Sequence, residues 1–329
     1  MKTMNALSLP VFAVVLGAAL SACSSTTPVV AEGEGEGEGE GEGEGEGEGE
    51  GEAAADEVLF QVALALYSAA PPDYVGAQAK FEQLLTEFPD SARIDNAAYL
   101  SGRCSYELAD FAGAIASLTS MVTTYPTSPF VDQAQYFIGR SQFRLGDFTS
   151  AIVAFAASIA ADPAGLYVDN AAYYVGRSHY EDGDLAAART ALAAFETGYP
   201  DSGYLDNVRY YLGRAFFNDG LFAEAVGPFA RVLETAGSTY ADNAVYYTGR
   251  SHYGLGGAAN LRASVDDFDL LEGSYVDSQY VDNALHYEAR AYTDLNDCPN
   301  ATAALTVLEG IVGSPEIARA QRYVQNGGC

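Results

Sequence analysis

The stretch Asp95–Arg103, DNAAYLSGR, decides the fold, because it returns five more times. The copies are DQAQYFIGR from Asp132, DNAAYYVGR from Asp169, DNVRYYLGR from Asp206, DNAVYYTGR from Asp242 and DNALHYEAR from Asp282. Successive copies start 37, 37, 37, 36 and 40 residues apart. A fixed period of this size is the signature of a solenoid, in which each unit buries its apolar face against its neighbours. Counting back 37 residues from Asp95 places a degenerate first unit at Val58-Leu59-Phe60.

Each unit holds two helical patterns. The first carries the quoted motif. The second follows a short turn such as Gly146-Asp147-Phe148, Gly183-Asp184-Leu185 or Gly220-Leu221-Phe222, and Asp at such a turn is a good helix N-cap. Proline stops the second helix after Phe88, Tyr125, Asp162 and Tyr199. Ser91, Ser128 and Ser202 follow as candidate N-caps for the next unit. The expected fold is therefore all-α: about seven helix-turn-helix repeats over 57–329, with a closing helix from about Glu316 to Gln325.

These units resemble the tetratricopeptide repeat (TPR). Small residues recur in the first helix, at Ala65, Gly102, Gly139, Gly176, Gly213, Gly249 and Ala289. Others recur early in the second, at Ala77, Ala114, Ala151, Ala188, Ala225, Ser264 and Ala301. A bulky apolar residue follows four later: Phe81, Leu118, Phe155, Leu192, Phe229, Phe268 and Leu305. The resemblance implies a right-handed solenoid whose first helices line a concave groove. The long period and the YPxS-type junctions are similar to those of periplasmic TPR lipoproteins, including the repeat domain of the Tol–Pal coordinating protein and the repeat lipoprotein of the β-barrel assembly machine.

Outside the repeats the chain reads as an address and a spacer. Residues 1–22 have a weakly basic start at Lys2, an apolar core from Val11 to Leu20 and small residues after it, the pattern of a secretory signal peptide. Leu20-Ser21-Ala22-Cys23 resembles a bacterial lipobox. That resemblance implies cleavage before Cys23 and lipid acylation of the cysteine, which would anchor the protein. Ser24 after it implies the outer membrane, with the body facing the periplasm. From Glu32 to Glu52 the chain alternates Glu and Gly, supplying 11 glutamates with no apolar residue. Such a run is expected to remain a disordered tether, so that 23–56 forms a lipidated cysteine and spacer.

Composition excludes several functions. The net charge is -29, and Lys2 and Lys80 are the two lysines of the chain. Phosphate backbones need clustered Lys and Arg, so no nucleic acid is expected as partner. No phosphate loop, dinucleotide fingerprint, zinc-protease helix or serine elbow is present in the sequence. His179, His252 and His286 are isolated. The expectation is a non-catalytic protein without cofactor or metal.

The candidate site is a ladder on the first helices. Asn96, Tyr99, Arg103 and Tyr106 share one helical face. The ladder repeats as Gln133, Tyr136, Arg140, Phe143, then Asn170, Tyr173, Arg177, Tyr180. It continues as Asn207, Tyr210, Arg214, Phe217 and as Asn243, Tyr246, Arg250, Tyr253. It ends at Asn283, His286, Arg290, Thr293. Arginine forks flanked by tyrosine suit peptide carboxylates and carbonyls. The competing reading makes each Arg a strut to the repeated Asp of an adjacent unit. Within one helix those two lie about 12 Å apart along the axis, so the pairing must cross units.

Two further expectations concern the ends of the array. Leu59, Val62, Leu66 and Ala69 would occupy the groove positions of an apolar first helix. Either a buried cap or a surface for the tail, a partner or a second copy accounts for them. Among the remaining cysteines, Cys298 and Cys329 are the preferred disulfide, pinning the closing helix, with Cys104 a buried thiol. The expected partner is an envelope protein or extended peptide in outer-membrane assembly or Tol–Pal and cell-wall coordination; the alternative is a glycan-binding repeat protein.

Overall fold

A computed structural model describes residues 49–329 of the chain, with side chains from Ala55. The expected signal peptide at residues 1–22, the expected lipidation site Cys23 and most of the Glu-Gly run lie outside the described residues. The described part is all-helical, with 15 helices and no strand.

The helices pair as seven repeats. They are α1 (Gly49–Tyr67) with α2 (Tyr74–Glu87), α3 (Ile94–Glu107) with α4 (Phe111–Thr124), and α5 (Val131–Leu145) with α6 (Phe148–Ala161). Then come α7 (Val168–Glu181) with α8 (Leu185–Gly198), α9 (Leu205–Asn218) with α10 (Phe222–Val232), α11 (Ala241–Leu255) with α12 (Gly257–Ser274), and α13 (Val281–Asp294) with α14 (Cys298–Glu309). The closing helix α15 (Ile317–Asn326) packs on α13 and α14. Helix α1 starts inside the Glu-Gly run, ahead of the boundary at 57, because Ala53-Ala54-Ala55 are strong helix formers and extend the turn backwards.

The turns inside a repeat follow local chemistry. Asp73, Asp110, Asp147, Asp184 and Asp297 each accept a hydrogen bond from the backbone N–H three residues on. The small and bulky residues meet as expected from their spacing. A Cβ on Gly102 would lie 2.6 Å from Leu118, and one on Gly176 would lie 2.6 Å from Leu192. Phe81, Leu118, Phe155, Leu192, Phe229 and Phe268 are wholly buried. In the last repeat Leu305 packs against Ala289 and Ala301 but is only half-buried, and Leu308, three residues on, is wholly buried. The extra residues of the sixth repeat lengthen α12 at its start, where its N-cap Gly256 and first residue Gly257 have φ of 65° and 75°.

Successive first helices touch each other directly, as α3 with α5, α7 with α9, α9 with α11 and α11 with α13. Each second helix packs between the first helices on either side. The tighter layer lies on the inside of the curve, so the first helices form the concave layer.

The register of the first repeat differs from the count of 37. Asp56 accepts a short hydrogen bond from Ser91, the bond that the repeated Asp makes elsewhere. Ala63, not the exposed Ala65, is buried against the second helix. The turn from Ser68 to Pro72 is longer than its counterparts, and it moves α1 by two residues. Glu57, Phe60, Leu64 and Tyr67 therefore hold the ladder positions, in place of Leu59, Val62, Leu66 and Ala69. Helix α1 buries Phe60 and Ala63 and leaves Val58 and Val62 exposed.

Candidate functional site: the concave ladder

The arginines do not pair with the repeated aspartates. Those carboxylates are taken by the junction serines of the next repeat: Ser202 donates to Asp169 at 2.7 Å, Ser238 to Asp206 at 2.9 Å, Ser278 to Asp242 at 2.7 Å and Ser314 to Asp282 at 2.9 Å. The same serine oxygens accept the backbone N–H two residues on, as at Arg93, Phe130 and Tyr204. Ser91, Ser128 and Ser202 thus close the junction turn and are not helix N-caps; those caps are Arg93, Phe130 and Tyr204, whose side chains make no capping bond to their helices. At the third junction Gly165 replaces the serine, and a Cβ there would lie 2.6 Å from the buried Asp132 carboxylate.

Each arginine instead spans two repeats through aromatic rings. For all but Arg290, which has His286 there, its own helix supplies a tyrosine four residues back. Nη1 donates to that hydroxyl at 2.7 Å for Arg140 and Tyr136, 3.1 Å for Arg177 and Tyr173, 2.6 Å for Arg214 and Tyr210, and 2.8 Å for Arg250 and Tyr246. Arg103 and Tyr99 are looser, at 3.5 Å. The next repeat supplies a ring under the guanidinium plane. Arg103 lies 3.9 Å from the Phe137 centroid, Arg140 4.5 Å from Tyr174, Arg177 4.2 Å from Tyr211, Arg214 4.2 Å from Tyr247 and Arg250 4.0 Å from Tyr287. Arg290 closes the series 4.4 Å from Tyr323 of α15. Each half-buried contact of this kind contributes on the order of 1 kcal/mol.

The tyrosines are equally committed. Tyr136, Tyr173, Tyr210 and Tyr246 are 2–5% exposed. Each stacks on the ring at the following junction: Tyr167, Tyr204, Tyr240 and Tyr280, at 4.5, 4.9, 4.5 and 4.5 Å. Asn170 donates to the Tyr204 hydroxyl, Asn207 donates to that of Tyr240, and Asn243 accepts from Tyr280. Burial pushes the Tyr173, Tyr210 and Tyr246 hydroxyls up to about 12, so they stay neutral partners of the arginines. The ladder is thus a continuous inter-repeat network with its arginine edges half-buried in the concave layer.

Charge is not balanced evenly along it. Arg103 donates from Nε to Glu107 at 3.0 Å and Arg177 to Glu181 at 2.9 Å. Among the described residues Arg140, Arg214, Arg250 and Arg290 have no carboxylate in ion-pair range, and Nε of Arg140, Arg214 and Arg290 is buried without a partner. At the far end Cys298 and Cys329 form a disulfide that ties the C-terminus to α14, and Cys104 is a buried thiol.

A stacked array of helix pairs with a polar concave layer defines a TPR solenoid scaffold. The comparisons with known proteins agree. The family model YfiO, outer membrane lipoprotein, matches residues 53–151 and 167–287, and the chain belongs to that family. Among solved structures it is similar to the C-terminal part of a TPR repeat-containing protein from Cytophaga hutchinsonii, with a TM-score of 0.62 and 17% identity, over 82% of this chain and 98% of that one. It is also similar to a tetratricopeptide repeat protein from Parabacteroides merdae, with a TM-score of 0.52 and 12% identity, over 83% and 100% of the two chains. Curated proteins give no match.

Proposed function

We propose that the protein is a non-catalytic, lipid-anchored scaffold of the outer membrane, facing the periplasm, that holds an envelope protein or extended peptide in its concave layer. The observation that carries this reading is the Arg–Tyr row from Tyr99 to Arg290: the repeated basic feature of a chain with net charge -29 lines the inner face of the solenoid. Membership of an outer membrane lipoprotein family supports the location. The role fits outer-membrane assembly or Tol–Pal and cell-wall coordination. Exposed Val58 and Val62 on α1 add an apolar edge on which a second copy could associate.

A glycan reading is less well supported. Sugar platforms need open ring faces, whereas Tyr136, Tyr173, Tyr210 and Tyr246 are buried and already stacked on their neighbours. A photo-crosslinker placed at Asn207 in the native envelope is expected to capture a protein, and mass spectrometry to identify it. Capture of peptidoglycan fragments alone would reverse the order of the two readings. Anchoring is tested separately: Cys23→Ser is expected to release the protein from salt-washed membranes, and continued sedimentation would exclude the lipid as the anchor.

A further inference from the structure

We propose that Arg140, Arg214 and Arg250 are the charge-reading positions of the concave layer, and that the segment they hold is an extended acidic peptide. This rests on the scaffold reading and names the chemistry of its partner. Five of the six arginines, all but Arg290, share the same supports, a tyrosine hydroxyl four residues back and a ring of the next repeat, so these contacts alone do not tell them apart. Electrostatics divides them. Four residues on from the arginine, Arg103 and Arg177 find Glu107 and Glu181, and each pair is neutral in sum. At the same position Arg140, Arg214 and Arg250 find Arg144, Asn218 and Gly254. Arg290 makes no ion pair with Asp294 at that position, but Asp294 is bound by the hydroxyls of Tyr253 and Tyr323, the rings that the Arg290 guanidinium lies over, so a carboxylate already occupies that end of the row.

Tyrosine hydroxyls and ring faces hold Arg140, Arg214 and Arg250 in place without cancelling their charge. A half-buried guanidinium with no counter-ion is a poor arrangement for stability alone, since it bears part of the desolvation cost without an ion partner. Its remaining N–H groups suit a carboxylate. Elsewhere this acidic chain repels an acidic segment, so the three arginines would also fix where that segment lies. Packed helices sit about 8–10 Å apart and an extended chain advances about 3.3 Å per residue. One carboxylate every third residue therefore keeps step with one repeat.

The test uses the full chain in detergent and a labelled peptide of five Glu-Ser-Gly triplets, with Gln-Ser-Gly as control, followed by fluorescence anisotropy. The native chain is expected to bind the Glu peptide at low salt, at least about tenfold more tightly than the Gln peptide, and to release it as salt rises. Arg140→Gln/Arg214→Gln/Arg250→Gln is expected to lose about tenfold or more in affinity. Arg103→Gln/Arg177→Gln, which loses the same kind of rings and hydroxyl bonds, is expected to lose less than about twofold. If the triple variant does not fold by circular dichroism, the single variants Arg214→Gln and Arg177→Gln are compared in the same way. Equal losses in the two sets, equal binding of the Gln peptide, or no binding of the Glu peptide would overturn the proposal. A protein crosslinked at Asn207, together with no binding of the Glu peptide, removes this inference and leaves the scaffold reading standing.

Discussion

The two layers of the solenoid are held together by different physics. In the outer layer α4 and α6 contain no charged residue, and their bulky side chains fill the space opened by Gly102 and Gly139 across the pair. In the concave layer the helices are polar, and one repeat reaches the next through Ser–Asp, Asn–Tyr and Arg–aromatic contacts. The outer layer makes a repeat, and the concave layer couples repeats. Small changes in the first should cost much locally; changes in the second should alter cooperativity and the charge available to a partner.

The largest effect is expected in the outer layer. Phe155 is wholly buried against Gly139 and Tyr174, so Phe155→Ala should cost about 3–5 kcal/mol. Urea denaturation measures it; a loss below about 1 kcal/mol would mean that the outer layer does not carry the repeat.

A smaller, pH-dependent effect belongs to the contact between α12 and α13. Glu288 is 8% exposed, and burial, with Glu272 and Asp269 nearby, raises its carboxyl far above the ordinary 4.5. A folded-state value above the unfolded one adds stability that is complete below the unfolded pKa and is lost as pH rises. The native protein should therefore lose stability with rising pH from about 4.5 upward, and Glu288→Gln should flatten that slope when the two melting curves are compared across pH. Parallel slopes would remove Glu288 as the source.

The smallest effect tests the turn between the layers. Ala109 sits at φ 62°, where the matching turns use Gly146, Gly183 and Gly220 at φ 81°, 85° and 74°. Ala109→Gly should stabilise by about 0.5–1 kcal/mol, because glycine adopts this region without strain. An unchanged or lower melting temperature would contradict that.

What was legible in the sequence follows the same division. The repeat period, the Asp caps and the small-to-bulky pairs lie within one unit, so spacing alone places them. Contacts between units are harder. Asp169, Asp206 and the rings at Tyr174 and Tyr211 all recur with the same period as Arg177, so periodicity cannot tell which of them Arg177 meets. The serines were visible, but their partner one repeat back was not. The first repeat failed for a different reason: its longer turn, with Pro71 and Pro72, shifts α1 by two residues while leaving α2 in register.

The central claim is that aromatic stacking, not Asp pairing, makes each arginine a coupler of repeats. A double-mutant cycle in urea on Arg177→Ala and Tyr211→Leu tests it most directly. The guanidinium lies 4.2 Å from the Tyr211 ring, and a coupling of about 0.5–2 kcal/mol is expected. The parallel cycle of Arg177→Ala with Asp206→Ala should give a coupling near zero, because Asp206 is held by Ser238. A coupling with Asp206 larger than that with Tyr211 would contradict the account.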